Sequence, residues 1–280
     1  MYSLPRTRLL VSVFANMSKL FDTHAHYYDS RFAEETEGAD AVLSAVFAGD
    51  VDRIVNVGTD LVNSRICLEM AGRYEGMYAA VGIHPSDCRD MDKSAVSDLS
   101  RFLEDHRDFS AHKIVAIGEI GLDYYWEPYD KAKQAFFFEE QMKLAEKWDL
   151  PVIIHDREAH GDCFETVLRF PNVRGVFHSY SGSAEMAREL VKRGWYISFS
   201  GVVTFKNANR VREVVQSVPL DRILIETDCP YLAPHPMRGK MNHSGYLHYT
   251  AEGVAQTLGL ELAEIIEQTA ENAKRLFAIQ

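Results

Sequence analysis

Six side chains able to coordinate a metal, His24, His26, Glu119, His155, His178 and Asp228, each stand at or just past the end of a short β-like run. Imidazole nitrogens and carboxylate oxygens gathered in one place bind divalent cations, so the set predicts a metal-dependent hydrolytic centre. In FDTHAH the two histidines are two positions apart, and an extended backbone directs both rings to the same side. PVIIH, GVFH and ILIETD supply His155, His178 and Asp228, and AIGEIGLDYY adds Glu119. A carboxylate has two oxygens, so Glu119 can bridge two cations at ~3.5–4 Å, the separation typical of two-metal hydrolases. The catalytic expectation is a cation-activated water that loses its proton to Asp228 or to bulk solvent, with Glu119 holding the cation pair.

Each residue also has a plainer reading. A single histidine at a strand end is more often a hydrogen-bonded structural group than a ligand. Asp228 can cap the following turn, and Glu119 can pair with Arg157 or another buried cation. Agreement among five runs favours coordination, because unrelated structural histidines have no reason to fall at equivalent ends.

The runs that must position these groups are LFDTH, RIVNV, YAAVGI, IVAIGEI, PVIIH, GVFHS, WYISFS and ILIETD. Most are continuously apolar or β-branched, as parallel strands covered on both faces are. Helix-like segments fill the gaps at 39–47, 64–74, 95–106, 132–148, 162–170, 184–193 and 208–215, and helical sequence follows 223–228 as well. Ser183 is positioned to cap one helix and Gly194 to end it. Alternation of this kind, with no glycine-rich phosphate loop after the first run, predicts an α/β fold of the (β/α)8 TIM-barrel type. Such barrels place catalytic side chains at the C-terminal ends of their strands.

The chain has 280 residues, and a (β/α)8 barrel usually takes about 250. One barrel domain over 17–280 is expected, its last helix (262–277) packing outside, with 1–16 an extension outside the fold. The arginines before a short apolar run, 9–15, only faintly imitate a secretory signal. With 46% hydrophobic and 25% charged residues, a substantial core is affordable and disorder is not indicated. A net charge of -11 argues against a broad basic surface for duplex DNA. Four scattered cysteines without CxxC spacing suit neither a zinc ribbon nor a disulfide scaffold and fit a reducing cytoplasm. No apolar stretch approaches the roughly 20 residues of a membrane span.

The motifs DTHAH (22–26), VGIHP (81–85), AIGEIGLDYY (116–125), LPVIIHDR (150–157), HSYSGS (178–183), YISFSGVVTFKNA (196–208), ETDCPYLAPHPMRGK (226–240) and ENAKRLF (271–277) run in an order that resembles the TatD family of metal-dependent deoxyribonucleases, within the amidohydrolase-like barrels. The likeness covers nearly everything after Met17. It implies that His24, His26, Glu119, His155, His178 and Asp228 are the metal ligands, and it suggests His84 and Arg157 as phosphate or substrate contacts. Two departures stand out. HSYSGS replaces HCFSGS beside His178, and RGKMNHS replaces RGKxNEP, bringing His243 and Ser244 into a loop near the expected mouth.

The resemblance implies a metal-dependent phosphodiester hydrolase, a deoxyribonuclease acting on single-stranded DNA or DNA ends, with magnesium or manganese for activity. The imidazole-rich donors equally admit zinc, iron, cobalt or nickel. His84 and Arg157, joined by Lys206, Arg238 or Lys240, are expected to hold phosphate oxygens. The plainer reading of His84 is a group anchoring the turn at Pro85, and that of Arg238 and Lys240 a solvated loop. Tyr124, Tyr125 and Trp126 are able to stack on bases, but aromatics after a barrel strand are at least as often packing, and they are left out of the expected site. One rival keeps the cations and attacks an amide or ester, such as an aminoacyl-tRNA. A second binds metal and nucleic acid without turnover, which six intact donors disfavour. Neither a membrane nor an obligate protein partner is expected.

Overall fold

Short runs of β-branched and apolar residues, buried on both faces, build the wall on which everything else is hung. The computed structural model describes residues 19–280, so the extension expected over 1–16 lies outside the described residues. Eight strands form one sheet in chain order: β1 (Leu20–Ala25), β2 (Val51–Val57), β3 (Met77–Val81), β4 (Ile114–Asp123), β5 (Val152–Arg157), β6 (Gly175–Phe177), β7 (Tyr196–Phe199) and β8 (Ile223–Ile225). Every neighbouring pair is parallel. Parallel strands need crossovers, and helices supply them between strands, as in 61–73, 131–148 and 184–192.

The two ends of the sheet meet. Asp228 N donates to His24 O (2.9 Å) and His26 N to Cys229 O (2.8 Å), with a parallel bridge between Ala25 and Cys229. The result is the (β/α)8 barrel that the alternating pattern predicts. Asp22, wholly buried, tightens the same seam by accepting from Thr227 N (2.9 Å) and Ser244 Oγ (2.7 Å).

A buried cluster draws Phe21, Val55, Val57, Ala80, Val115, Ala116, Ile153, Val176, Tyr196 and Leu224 from all eight strands and therefore fills the barrel interior. The last helix, Leu262–Phe277, adds Ala270, Ala273, Leu276 and Phe277 to that cluster. It packs against β1 and β8 and closes off the inner core. Neighbouring positions such as Ile54, Ile117, Ile154, Ile197 and Ile225 join the other, larger cluster with the helices, as the period of two requires.

Three strands differ from expectation. β4 and β5 were expected to stop near Ile120 and His155, yet they stay paired to Asp123 and Arg157. A register irregularity between Ile117 and Ile120 lets β4 continue past Glu119 while that side chain still turns into the barrel. Conversely β8 ends at Ile225, so Asp228 sits three residues beyond its strand. The helix following β8 does not begin until Leu247.

Gly121 makes the long β4–β5 pairing possible. It has φ +141° and pairs with His155, and a Cβ there would collide with the His155 carbonyl oxygen. Gly121→Ala is expected to destabilise the protein by at least about 1–3 kcal/mol, from backbone strain alone. A fall in the urea midpoint at unchanged slope checks it, and an unchanged midpoint would count against this reading of the β4–β5 contact.

Candidate metal centre

Glu119 is 3% exposed and surrounded by imidazoles. Its Oε2 lies 3.3 Å from His24 Nε2 and 3.7 Å from His26 Nε2. Its Oε1 lies 2.6 Å from His155 Nδ1, 2.8 Å from His178 Nε2 and 3.6 Å from His84 Nε2. The two oxygens of one carboxylate thus face two separate groups of ring nitrogens. Asp228 Oδ1 completes the first group at 3.3 Å from His26 Nε2 and 3.8 Å from His24 Nε2. All six expected side chains meet in one place, delivered by β1, β4 and β5 and by the segments just beyond β1, β6 and β8. The alternative pairing of Glu119 with Arg157 is not found.

Elementary donor chemistry says what the cluster fits. His26 Nδ1 is 2.7 Å from the Val57 carbonyl oxygen, which can only accept, so the ring proton sits on Nδ1 and Nε2 presents a lone pair. That lone pair points to His24 Nε2 at 3.1 Å, while Nδ1 of His24 is buried without a partner. Close lone pairs and two carboxylates repel one another unless a cation or added protons lie among them. Burial alone would raise the Glu119 carboxyl, but the surrounding His178, His84 and His24 and the His155 bond hold it well below the usual range. The donors fit divalent metal, and cation binding there must displace protons from imidazole.

His84 reaches ligand distance yet is not built as a ligand. Its Nδ1 accepts from Ser86 N (3.1 Å), which leaves the proton on Nε2, aimed into the centre. Burial and the neighbouring His155 push its pKa down to about 3, so it is a neutral N–H donor. The expected anchoring of the turn at Pro85 is present, because His84 N also donates to Thr59 O (2.8 Å) and its O accepts from Asp87 N (3.0 Å).

The centre lies at the base of a cavity of about 740 Å³ whose lining includes Arg157, Trp126, Tyr231 and Asp87. Arg157 is exposed and its guanidinium lies 3.9 Å from the Tyr125 ring centroid and 5.3 Å from that of Trp126. Tyr125, Trp126 and Tyr231 are 50%, 60% and 47% exposed, so of the two readings open for Tyr125 and Trp126, packing in the interior does not hold. An aromatic after a barrel strand carries no sequence mark of exposure, and Tyr231 went unread for the same reason.

Lys206, Arg238 and Lys240 correct the expectation of phosphate contacts. All three are exposed, none is among the residues lining the cavity, and Arg238 instead lies 4.2 Å over the Phe205 ring. Ser244 is not at the mouth either. It is buried, donates to Asp22 and bonds Tyr27 Oη at 2.8 Å, so the departure in that loop is a clamp on β1. Two carboxylates not singled out from sequence, Asp123 and Glu226, touch His155 and His178.

Comparison with known proteins gives a consistent pattern. Residues 21–278 match the family described as TatD related DNase. The chain is 44% identical to the uncharacterized metal-dependent hydrolase YabD of Bacillus subtilis, across 93% of this chain and 99% of that protein. It is 36% identical to the uncharacterized metal-dependent hydrolase YcfH of Escherichia coli K12, across 93% and 96%. Among solved structures, the TatD homologue YJJV of Escherichia coli K12 superimposes with a TM-score of 0.85 at 28% identity, covering 93% of this chain and 98% of that one.

Proposed function

Given that the chain belongs to the TatD family of metal-dependent hydrolases, we propose that it cleaves phosphodiester bonds at accessible DNA ends, using two divalent cations. The observation that carries the reading is the division of Glu119, whose Oε2 faces His24 and His26 and whose Oε1 faces His155 and His178. Two cations held by those groups and Asp228 would neutralise phosphate charge, stabilise the leaving alkoxide and lower the pKa of a water.

The chain's own residues account for the rest. His84 Nε2–H and the Arg157 guanidinium converge on the cavity from different strands and can hold nonbridging phosphate oxygens. Asp228 borders the same cavity and is the carboxylate to accept the proton lost by water. Trp126 and Tyr231 stand exposed at the rim, Tyr231 backed by the Arg31 guanidinium 4.0 Å from its ring centroid, and aromatic rings so placed suit unpaired bases. The Arg157 guanidinium stacks on Tyr125 and pairs with no carboxylate among the described residues, so its charge stays free for phosphate. Magnesium or manganese suits this chemistry, and the imidazole-rich set also admits zinc, iron, cobalt or nickel.

Four cysteines, all free and buried, agree with a cytoplasmic setting, and among the described residues no helix is long and apolar enough to cross a membrane. One wall of the cavity, Phe199, Val202, Val211 and Leu232, is apolar and would take an acyl side chain, which favours a second reading as an ester hydrolase. Nucleotide release from single-stranded DNA, set against hydrolysis of an aminoacyl-tRNA ester by the same manganese-loaded protein, separates the two. Shortening of DNA with little ester turnover is expected, and the reverse order would overturn the phosphodiester reading.

Trp126→Ala is expected to lower kcat/KM for an oligonucleotide by about 1–3 kcal/mol, roughly 5- to 150-fold. Turnover of a small phosphodiester without a base should change by no more than about twofold, because stacking adds nothing there. Equal losses on both substrates would remove Trp126 from the substrate path.

A further inference from the structure

Two carboxylates outside the expected ligand set are buried against it. Glu226 is 0% exposed and Asp123 1%. Glu226 Oε1 lies 3.1 Å from His178 Nδ1, and Asp123 Oδ2 lies 3.0 Å from His155 Nε2. Ionised carboxylates only accept hydrogen bonds, so each contact fixes a ring proton: on Nδ1 of His178 and on Nε2 of His155. The opposite nitrogens, His178 Nε2 and His155 Nδ1, face Glu119 Oε1 at 2.8 and 2.6 Å, and they are the ones whose lone pairs would be offered once a cation replaced the protons there. The two histidines therefore approach the centre through different ring nitrogens, each turned by its own carboxylate.

The two carboxylates are anchored unequally. Asp123 Oδ1 also accepts from Tyr125 N (2.9 Å) and Trp126 N (3.2 Å), so it doubles as a turn cap behind β4. Glu226 has no such second duty, and its Oε2 is buried without a partner. An orphaned carboxylate oxygen in a closed interior costs stability, which sets Glu226 apart from the polar groups that hold the barrel together. His24 stacks on His178 with ring centroids 4.0 Å apart at 15°. One donor atom each of His24, His178 and Glu226 lies within 4.8 Å of the others. Glu226 thus stands beneath imidazoles from both groups that divide Glu119.

We propose that Glu226 and Asp123 are positioning residues that select the coordinating nitrogen of His178 and His155, with Glu226 tying the two halves of the centre together. Neither is a ligand: each faces the nitrogen turned away from Glu119. The inference rests on the ligand set of the proposed function and not on its substrate. Protein that binds manganese yet leaves DNA whole would end the phosphodiester reading and not this one.

The test is titration of the metal-free full-length protein with manganese alone, beside its metal-free melting temperature. Glu226→Ala is expected to weaken manganese binding about 10- to 100-fold while the metal-free melting temperature holds or rises. Glu226→Gln, whose amide oxygen still accepts but whose amide nitrogen can hold the wrong tautomer, should fall between, and it serves as well if the alanine variant does not fold. Asp123→Ala should weaken binding similarly and also lower the metal-free melting temperature, because it removes the oxygen that accepts from Tyr125 N and Trp126 N. Wild-type manganese affinity and stoichiometry in both Glu226 variants would overturn the proposal. So would a fall in metal-free stability with the affinity of the folded protein intact, which would mark a merely structural role.

Discussion

Glu119→Gln is expected to leave a folded protein that hydrolyses its substrate more than about 100-fold more slowly at saturating manganese. Partners one step removed from a metal typically cost 10- to 100-fold when lost, so removing the group shared by both halves must cost more. The argument is geometric. Glu119 Oε2 faces His24 and His26 at 3.3 and 3.7 Å, and Oε1 faces His155 and His178 at 2.6 and 2.8 Å. Glutamine keeps one oxygen and replaces the other by an amide nitrogen, which has no lone pair to offer a cation and would meet imidazole nitrogens or a positive ion with its own protons. One half of the centre is then lost whichever way the amide turns. The backbone of β4 is paired with β3 and β5 on either side and does not depend on this side chain, so far-UV dichroism should be unchanged. A rate within tenfold of the wild type would show that Glu119 is not the bridge.

Chelation is expected to have the second largest effect. Stripped of divalent cations, the protein should lose activity, and its melting temperature should fall by roughly 5–10 °C relative to protein with manganese at about a hundred times its Kd. Binding to the folded state alone is worth about 2.7 kcal/mol at that excess, and each kcal/mol moves the transition of a large domain by about 2–4 °C. The sign follows from the packing. His24 is wholly buried, Glu119 is 3% exposed and His26 5%, and the unfolded chain has no comparable arrangement of donors. Thermal melts with chelator and after manganese is restored check both halves, and activity that survives chelation would contradict the account.

The chain advertises some parts of this arrangement far better than others. The residues of the candidate centre were legible because His24 and His26 stand two apart in one extended run and His155 and His178 close continuous apolar runs, a coincidence that packing alone does not produce. The barrel was legible from the alternation of strand-like and helix-like segments. The ends of β4 and β5 were not, because AIGEIGLDYY remains apolar through Leu122 and Gly121 reads as a break until its close approach to His155 is seen. The helices at Arg31–Glu35 and Phe109–His112 are too short to show a period. Asp123 and Glu226 escaped because a buried carboxylate behind a histidine has no characteristic spacing, only a three-dimensional neighbour. Arg238 kept two readings, phosphate contact and solvated loop, because a cation in a motif-rich loop looks like either, and its exposure and stacking on Phe205 favour the second.

The reading stands on one carboxylate serving two cations, and anomalous scattering from a crystal soaked with manganese and a short single-stranded oligonucleotide tests it most directly. Two manganese peaks are predicted, one on each oxygen of Glu119, with a phosphate of the oligonucleotide above them and within reach of His84 and Arg157. Manganese bound away from Glu119, or a phosphate held elsewhere with these six side chains left bare, would contradict it.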